Sequence, residues 1–208
     1  MQERNSVATA LPGRRRCLAL LGASALWLAG CSKEAPLKVD GVDVSQATFG
    51  RHFTLTDPAG NERTLESFKG NPVMVFFGFT QCPDICPTAL VRATDIKQLL
   101  GEDGKRLQVV FITLDPERDT PPVLDAYTKA FDPDFLGLYG DLARTKATAD
   151  EFRVFFQKVA TGSSYTLDHT SSSYVYDAEG RLRLLLKHEQ SAESCARDIQ
   201  QIIDRKSA

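Results

Sequence analysis

The sequence predicts an α/β fold, a mixed sheet flanked by helices, and two features carry the prediction. Apolar runs at 72–79 and 107–114 are rich in Val, Ile and Phe and do not alternate with polar residues, as expected of strands buried on both faces. Each is followed by a stretch with apolar residues at helical spacing: Leu90, Val91, Ile96, Leu99 and Leu100 after the first, Val123, Leu124, Tyr127 and Phe131 after the second. Strand, helix, strand, helix is the pattern of βαβ units.

The remaining elements follow in order. Phe53-Thr-Leu-Thr56 and Glu62-Arg-Thr-Leu65 flank Asp57-Pro-Ala-Gly60-Asn61 and read as an N-terminal β-hairpin. After the second buried strand, Thr120 is placed to cap a helix with Pro121 at its first position. Leu136-Gly-Leu-Tyr139 is a short third strand, and a helix is expected from about 142 to 157, carrying Phe152, Phe155 and Phe156. Residues 162–172 read as polar loop. A second hairpin turns at Asp177-Ala-Glu-Gly180, and a last helix over about 191–205 puts Cys195, Ile199, Ile202 and Ile203 on one face. A βαβ half followed by a ββα half, with a cysteine pair at the first strand-to-helix turn, is the thioredoxin-like plan, here with an inserted strand and helix between the halves.

The first 31 residues are of another kind. Arg14-Arg15-Arg16, an apolar run over 17–27 and Leu28-Ala29-Gly30-Cys31 make a basic region, a short apolar region and a small-residue cleavage point, the layout of an export signal. The run is shorter than the roughly 20 residues of a membrane-spanning helix. Leu-Ala-Gly-Cys is similar to a bacterial lipobox, so the expected organisation is a lipoprotein signal peptide at 1–30, acylation at Cys31, a tether at 31–50 and a folded domain at 51–208. Without Glu3, Arg4, Arg14, Arg15 and Arg16 the chain keeps 21 basic and 26 acidic residues, a net charge of −5, which gives it no evident use for nucleic acid. The signal also removes Trp27, the only Trp.

Cys82 and Cys86 are the residues most able to carry chemistry. Four residues apart at the start of a helix, they lie about one turn apart, roughly 6 Å along the axis, within reach of a disulfide, so the pair can open and close. Pro83 and Pro87 stiffen the turn. As thiolates the two sulfurs suit Cu(I) or Zn(II) better than hard cations. His169 lies in the loop entering the late hairpin, which a thioredoxin-like chain packs against the cysteine turn, so it is the histidine placed to complete a Cys₂His site. His52 and His188 are expected at the surface and Cys195 in the core. Asp115, Glu117, Arg118 and Asp119 read as an acidic metal site or acid-base pair or, equally, as a capped, charged loop, in which partner contact and pure capping weigh the same. Asp84 either adds a ligand or favours the helix N-terminus.

Three ordered stretches carry a resemblance. Phe77-Gly-Phe-Thr-Gln-Cys82-Pro-Asp-Ile-Cys86-Pro, Ile112-Thr-Leu-Asp115-Pro-Glu-Arg-Asp119-Thr-Pro121 and Leu167-Asp-His169-Thr are similar to the signature stretches of the Sco/SenC family, over about 53–203. That resemblance implies a thioredoxin-like copper-binding protein of the bacterial envelope or mitochondrial inner membrane, with Cys82, Cys86 and His169 as ligands. Its implied role is delivery of Cu(I) or Cu(II), received from an upstream copper donor, to the copper-bearing subunit of cytochrome c oxidase. Where many relatives keep a transmembrane helix, this chain looks lipid-anchored, with its domain on the periplasmic side of the inner membrane. Zinc would want a fourth ligand, for which Asp84 and Asp168 are the neighbours. The competing class is an enzyme, a thiol-disulfide oxidoreductase using Cys82 and Cys86 on an oxidase subunit or another exported protein. The Cys-x₃-Cys spacing, the missing Trp and the absence of Pro between 163 and 174 weigh against it.

Overall fold

The computed structural model describes residues 2 and 36–205. The expected signal peptide and the acylated Cys31 lie outside the described residues. Two chain units are distinguished, Met1–Pro36 and Leu37–Ala208, and the fold is that of the second.

Ten strands and four α-helices are described in it: β1 Val42–Asp43, β2 Leu55–Thr56, β3 Glu62–Arg63, β4 Val73–Gly78, α1 Ile85–Leu99, β5 Gln108–Thr113, α2 Pro121–Lys129, β6 Leu136–Leu138, α3 Leu142–Glu151, β7 Phe156–Thr161, β8 Ser164–His169, β9 Ser173–Tyr176, β10 Leu182–Leu186 and α4 Ala192–Asp204. The main sheet has the order β1-β10-β9-β4-β5-β6. β4, β5 and β6 are parallel, whereas β9, β10 and β1 are added antiparallel. This is the expected mixed sheet.

β4 sits at the middle and is buried along its whole length. Alternation along a strand sends Phe76 and Gly78 to one face and Phe77 to the other. Phe77 meets Phe152 edge-on with ring centroids 5.0 Å apart, while Phe76 packs on Phe111, which in turn meets Tyr127 of α2. Both faces therefore carry aromatic core, which is why β4 shows no polar alternation.

Four expectations are corrected. The stretch 37–50 is not free tether: Leu37 is buried, β1 pairs with β10, and the Asp198 carboxylate on α4 accepts from the amides of Asp40 (3.1 Å) and Gly41 (2.8 Å). The helix expected to reach 157 stops at Glu151, and Phe155 is left exposed. The polar stretch expected to be loop is strand over 164–169, paired along its length with β7 as a separate two-stranded sheet. Val123, assigned to the apolar face of α2, is exposed, and Leu124 alone of that pair is buried.

Candidate metal centre

The site forms where three segments meet: the turn after β4, the loop after β5, and the end of β8. β4 ends at Gly78, where close approach leaves no room for a side chain. A Cβ there would lie 2.7 Å from the Cys86 sulfur and 2.9 Å from the Phe111 ring. Cys86 is fully buried in the first turn of α1, and Cys82, half-buried, precedes the helix. Pro87 fits beside it because the first helical turn has no partners for its N–H groups.

One of those unpartnered amides lands on sulfur, as the Cys86 N–H donates to Cys82 Sγ at 3.4 Å. The hydrogen bond from the Cys86 thiol is the largest influence on Cys82. Partial burial opposes it, but with His169 and the Asp84 and Cys86 amides it holds Cys82 well below the ordinary thiol range. Cys86 moves the opposite way, raised by the same hydrogen bond and then by burial. Of the pair, Cys82 is the sulfur inclined to the thiolate and Cys86 the one held toward the thiol.

His169 ends β8, opposite Phe156 of β7. Its Nδ1 is 2.9 Å from the Thr170 carbonyl oxygen. A carbonyl only accepts, so Nδ1 carries a proton and Nε2 is the ring atom turned to the sulfurs. Nε2 lies 3.7 Å from Cys86 Sγ, and the ring stands edge-on to Phe76 and Phe79, with centroids 6.3 and 5.9 Å away. The two sulfurs and one ring nitrogen all lie within 4.8 Å of one another. Two soft sulfurs and an oriented imidazole, with no carboxylate in the group, fit a soft or borderline metal ion.

The other sequence candidates fall elsewhere. Asp84 and Asp168 are exposed and outside the cluster, and the Asp84 side chain makes no cap hydrogen bond. His52 is exposed, 3.6 Å from Glu151. His188 is half-buried rather than superficial, and its carbonyl accepts from Arg92. Cys195 is a core thiol whose pKa burial pushes up to about 11.

The loop after β5 is an internal network. Asp119 is buried and accepts from Thr113 Oγ1 (2.6 Å), Thr80 Oγ1 (2.6 Å) and the Thr80 amide (3.0 Å), and burial raises its pKa. It thereby pins the residue two before Cys82. Asp115 accepts from Arg118 and from Tyr165 Oη (2.8 Å). Sequence reasoning missed Gly78 and Tyr165 as parts of the site. A glycine inside an otherwise Val- and Phe-rich strand was the available signal for the first; nothing local marked the second.

The chain is also similar to known proteins. The SCO1/SenC family profile matches residues 42–204. A "SCO2-like protein" of Rickettsia felis is 43% identical over 142 residues, 67% of this chain and 68% of that protein. Among solved structures, Bradyrhizobium japonicum ScoI with copper bound is 38% identical, with a TM-score of 0.68 over 76% of this chain and 100% of that one. Yeast Sco1 with copper bound is 33% identical, with a TM-score of 0.70 over 77% of this chain and 91% of the other.

Proposed function

The chain belongs to the SCO1/SenC family, and we propose that it is a copper metallochaperone. In this reading it holds one copper ion on Cys82, Cys86 and His169 and delivers it by ligand exchange to the copper-bearing subunit of a respiratory cytochrome c oxidase. The observation that carries the reading is the cluster of three donor atoms within 4.8 Å. Sulfur donors favour Cu(I), and the imidazole lets the same set tolerate Cu(II). The copper-bound relatives from Bradyrhizobium and yeast support the choice of metal.

Three donors leave the ion open to attack. An acceptor thiolate or imidazole bonds to copper as one donor of this chain leaves, with no electron changing hands. Half-buried Cys82 is the side from which such a ligand arrives, while buried Cys86 and the carbonyl-held His169 keep their places. A closed Cys82–Cys86 disulfide cannot hold copper, so the redox state of the pair gates loading.

Copper titration of the reduced protein, followed by the Cu(II)–thiolate absorption band, is the test. Binding of a single ion, lost in Cys82→Ala, Cys86→Ala and His169→Ala, is the expected result. Stoichiometric, unaltered binding by His169→Ala removes the third ligand. The chain is further proposed to be anchored through acyl-Cys31 on the periplasmic side of the inner membrane. Incorporation of labelled palmitate, abolished by Cys31→Ala, checks this, and label surviving the substitution overturns it.

One observation favours a second activity. A half-buried cysteine with a lowered pKa beside a buried one with a raised pKa is the arrangement of an attacking and a resolving cysteine. Cys82 would attack a partner's disulfide and Cys86 would then displace the partner's thiol, two electrons passing to the partner as this pair closes. Brisk reduction of insulin or of an oxidase-subunit disulfide by metal-free protein would promote that reading over delivery.

A further inference from the structure

The hairpin of β7 and β8 brings His169 to the site, yet among the described residues it pairs with no other strand. Its end at His169 is tied to the main sheet only through the three-residue link to β9, whose Ser173 pairs with Phe76, so side chains must place the rest of the hairpin against the cysteine turn. One side chain reaches both. Arg118 Nη1 donates to Gln81 Oε1, next to Cys82, at 3.1 Å and to the Tyr165 carbonyl, on β8, at 2.8 Å. Its guanidinium lies over the Tyr165 ring, 3.7 Å from the centroid, and 5.8 Å from that of Phe79, whose own ring meets His169 edge-on.

The guanidinium is in turn held in place. Its Nε donates to buried Asp115, and the other oxygen of that carboxylate accepts from Tyr165 Oη at 2.8 Å. Asp115 and Tyr165 thus close a ring around Arg118. A planar guanidinium can donate in two directions and stack at once, which an ammonium group cannot do. The neighbouring Lys158–Glu117 pair also joins the hairpin to this loop, but it is exposed on both sides and adds little restraint.

We infer that Arg118 is the positioning residue of the centre: it ties the histidine hairpin to the cysteine turn and so sets where the imidazole meets the two sulfurs. The inference rests on the copper reading above. It acts only on the histidine arm, since Cys82 and Cys86 share one turn and helix and keep their spacing without it.

The test is pulsed EPR of the Cu(II)-loaded protein, reading the coupling of copper to imidazole nitrogen, in wild type, His169→Ala, Arg118→Ala and Arg118→Lys. Arg118→Lys keeps a cation beside Asp115 and so guards against a variant that fails to fold, which circular dichroism and thermal melting check. Both Arg118 variants are expected to lose most of the imidazole coupling and to bind Cu(II) about 10- to 100-fold more weakly, the usual cost of removing a group that orients a ligand. Cu(I) held by the two sulfurs should change far less. In metal-free reduced protein, NMR contacts between the His169 ring and Cys86 should weaken in parallel. Undiminished imidazole coupling in a folded Arg118→Lys protein overturns the clamp alone. Absence of that coupling from wild type overturns the ligand reading, and the clamp with it.

Discussion

At residue 78 the sequence withholds a single methyl group, and the cysteine site depends on the omission. The Gly78 backbone is not in the left-handed region, so alanine meets no conformational penalty there; the conflict is with the Cys86 sulfur and the Phe111 ring. Both are fully buried, so neither can swing into solvent. Gly78→Ala is therefore expected to fold, to lose about 1–3 kcal/mol by overpacking, and to bind copper more weakly because the sulfur is displaced. Cys195→Ala, in the core on α4, is the control: it lowers stability but leaves copper affinity intact. Urea unfolding beside copper competition separates the two, and wild-type affinity in Gly78→Ala would refute the crowding argument. The cysteines and His169 were readable because each residue type carries its chemistry in its name. Gly78 was visible as a residue, but what it makes room for comes from a segment eight positions later.

At the scale of elements, the buried strands and the last helix were legible because burial writes a periodic pattern, and the errors came where it does not. α3 ends in a left-handed residue at Arg153, with φ 55, and the Val154 amide returns to the Ala149 carbonyl at 2.8 Å while that of Arg153 reaches Asp150 at 3.1 Å. This is a Schellman closure built without the usual glycine. The Arg153 guanidinium over Phe49, 4.6 Å from the ring centroid, is the compensating contact, and it comes from a hundred residues upstream. Nothing near 153 in the sequence marks a stop. β7 is mostly exposed and β8 buries only Leu167, so they lack the apolar alternation of a half-buried sheet. Their one local signal is Gly162-Ser163, with Gly162 at φ 60 as the first central residue of a tight hairpin turn.

Across the whole molecule, the domain begins earlier than its composition suggests, and this is measurable. Residues 37–50 look like linker because their contacts are with the far end of the chain. Leu37 enters the core, the Val42–Asp43 strand extends the sheet at β10, and the Gly50 carbonyl accepts from buried Tyr176 Oη at 2.6 Å. Asp198 is the hub of this closure, accepting from Asp40 and Gly41 and also from Gln190 Nε2 at 2.7 Å. Removing the segment would leave a buried carboxylate with one of three protein donors and a tyrosine hydroxyl without its acceptor. Hydrogen bonds to a charged group contribute about 1.5–3 kcal/mol each, and burying a leucine side chain a further 1.5–3 kcal/mol or so. A chain beginning at residue 51 should therefore be at least about 3 kcal/mol less stable than one beginning at 36, by the same reasoning. Asp198→Ala in the longer chain should reproduce much of that loss. The proposed copper donors lie on the turn after β4, on α1 and on β8, so the shorter chain, where it still folds, should bind copper in the same stoichiometry. Coincident urea midpoints for the two lengths would mean that 37–50 only rests on the domain, and a loss of copper binding without a loss of stability would mean that it reaches the site.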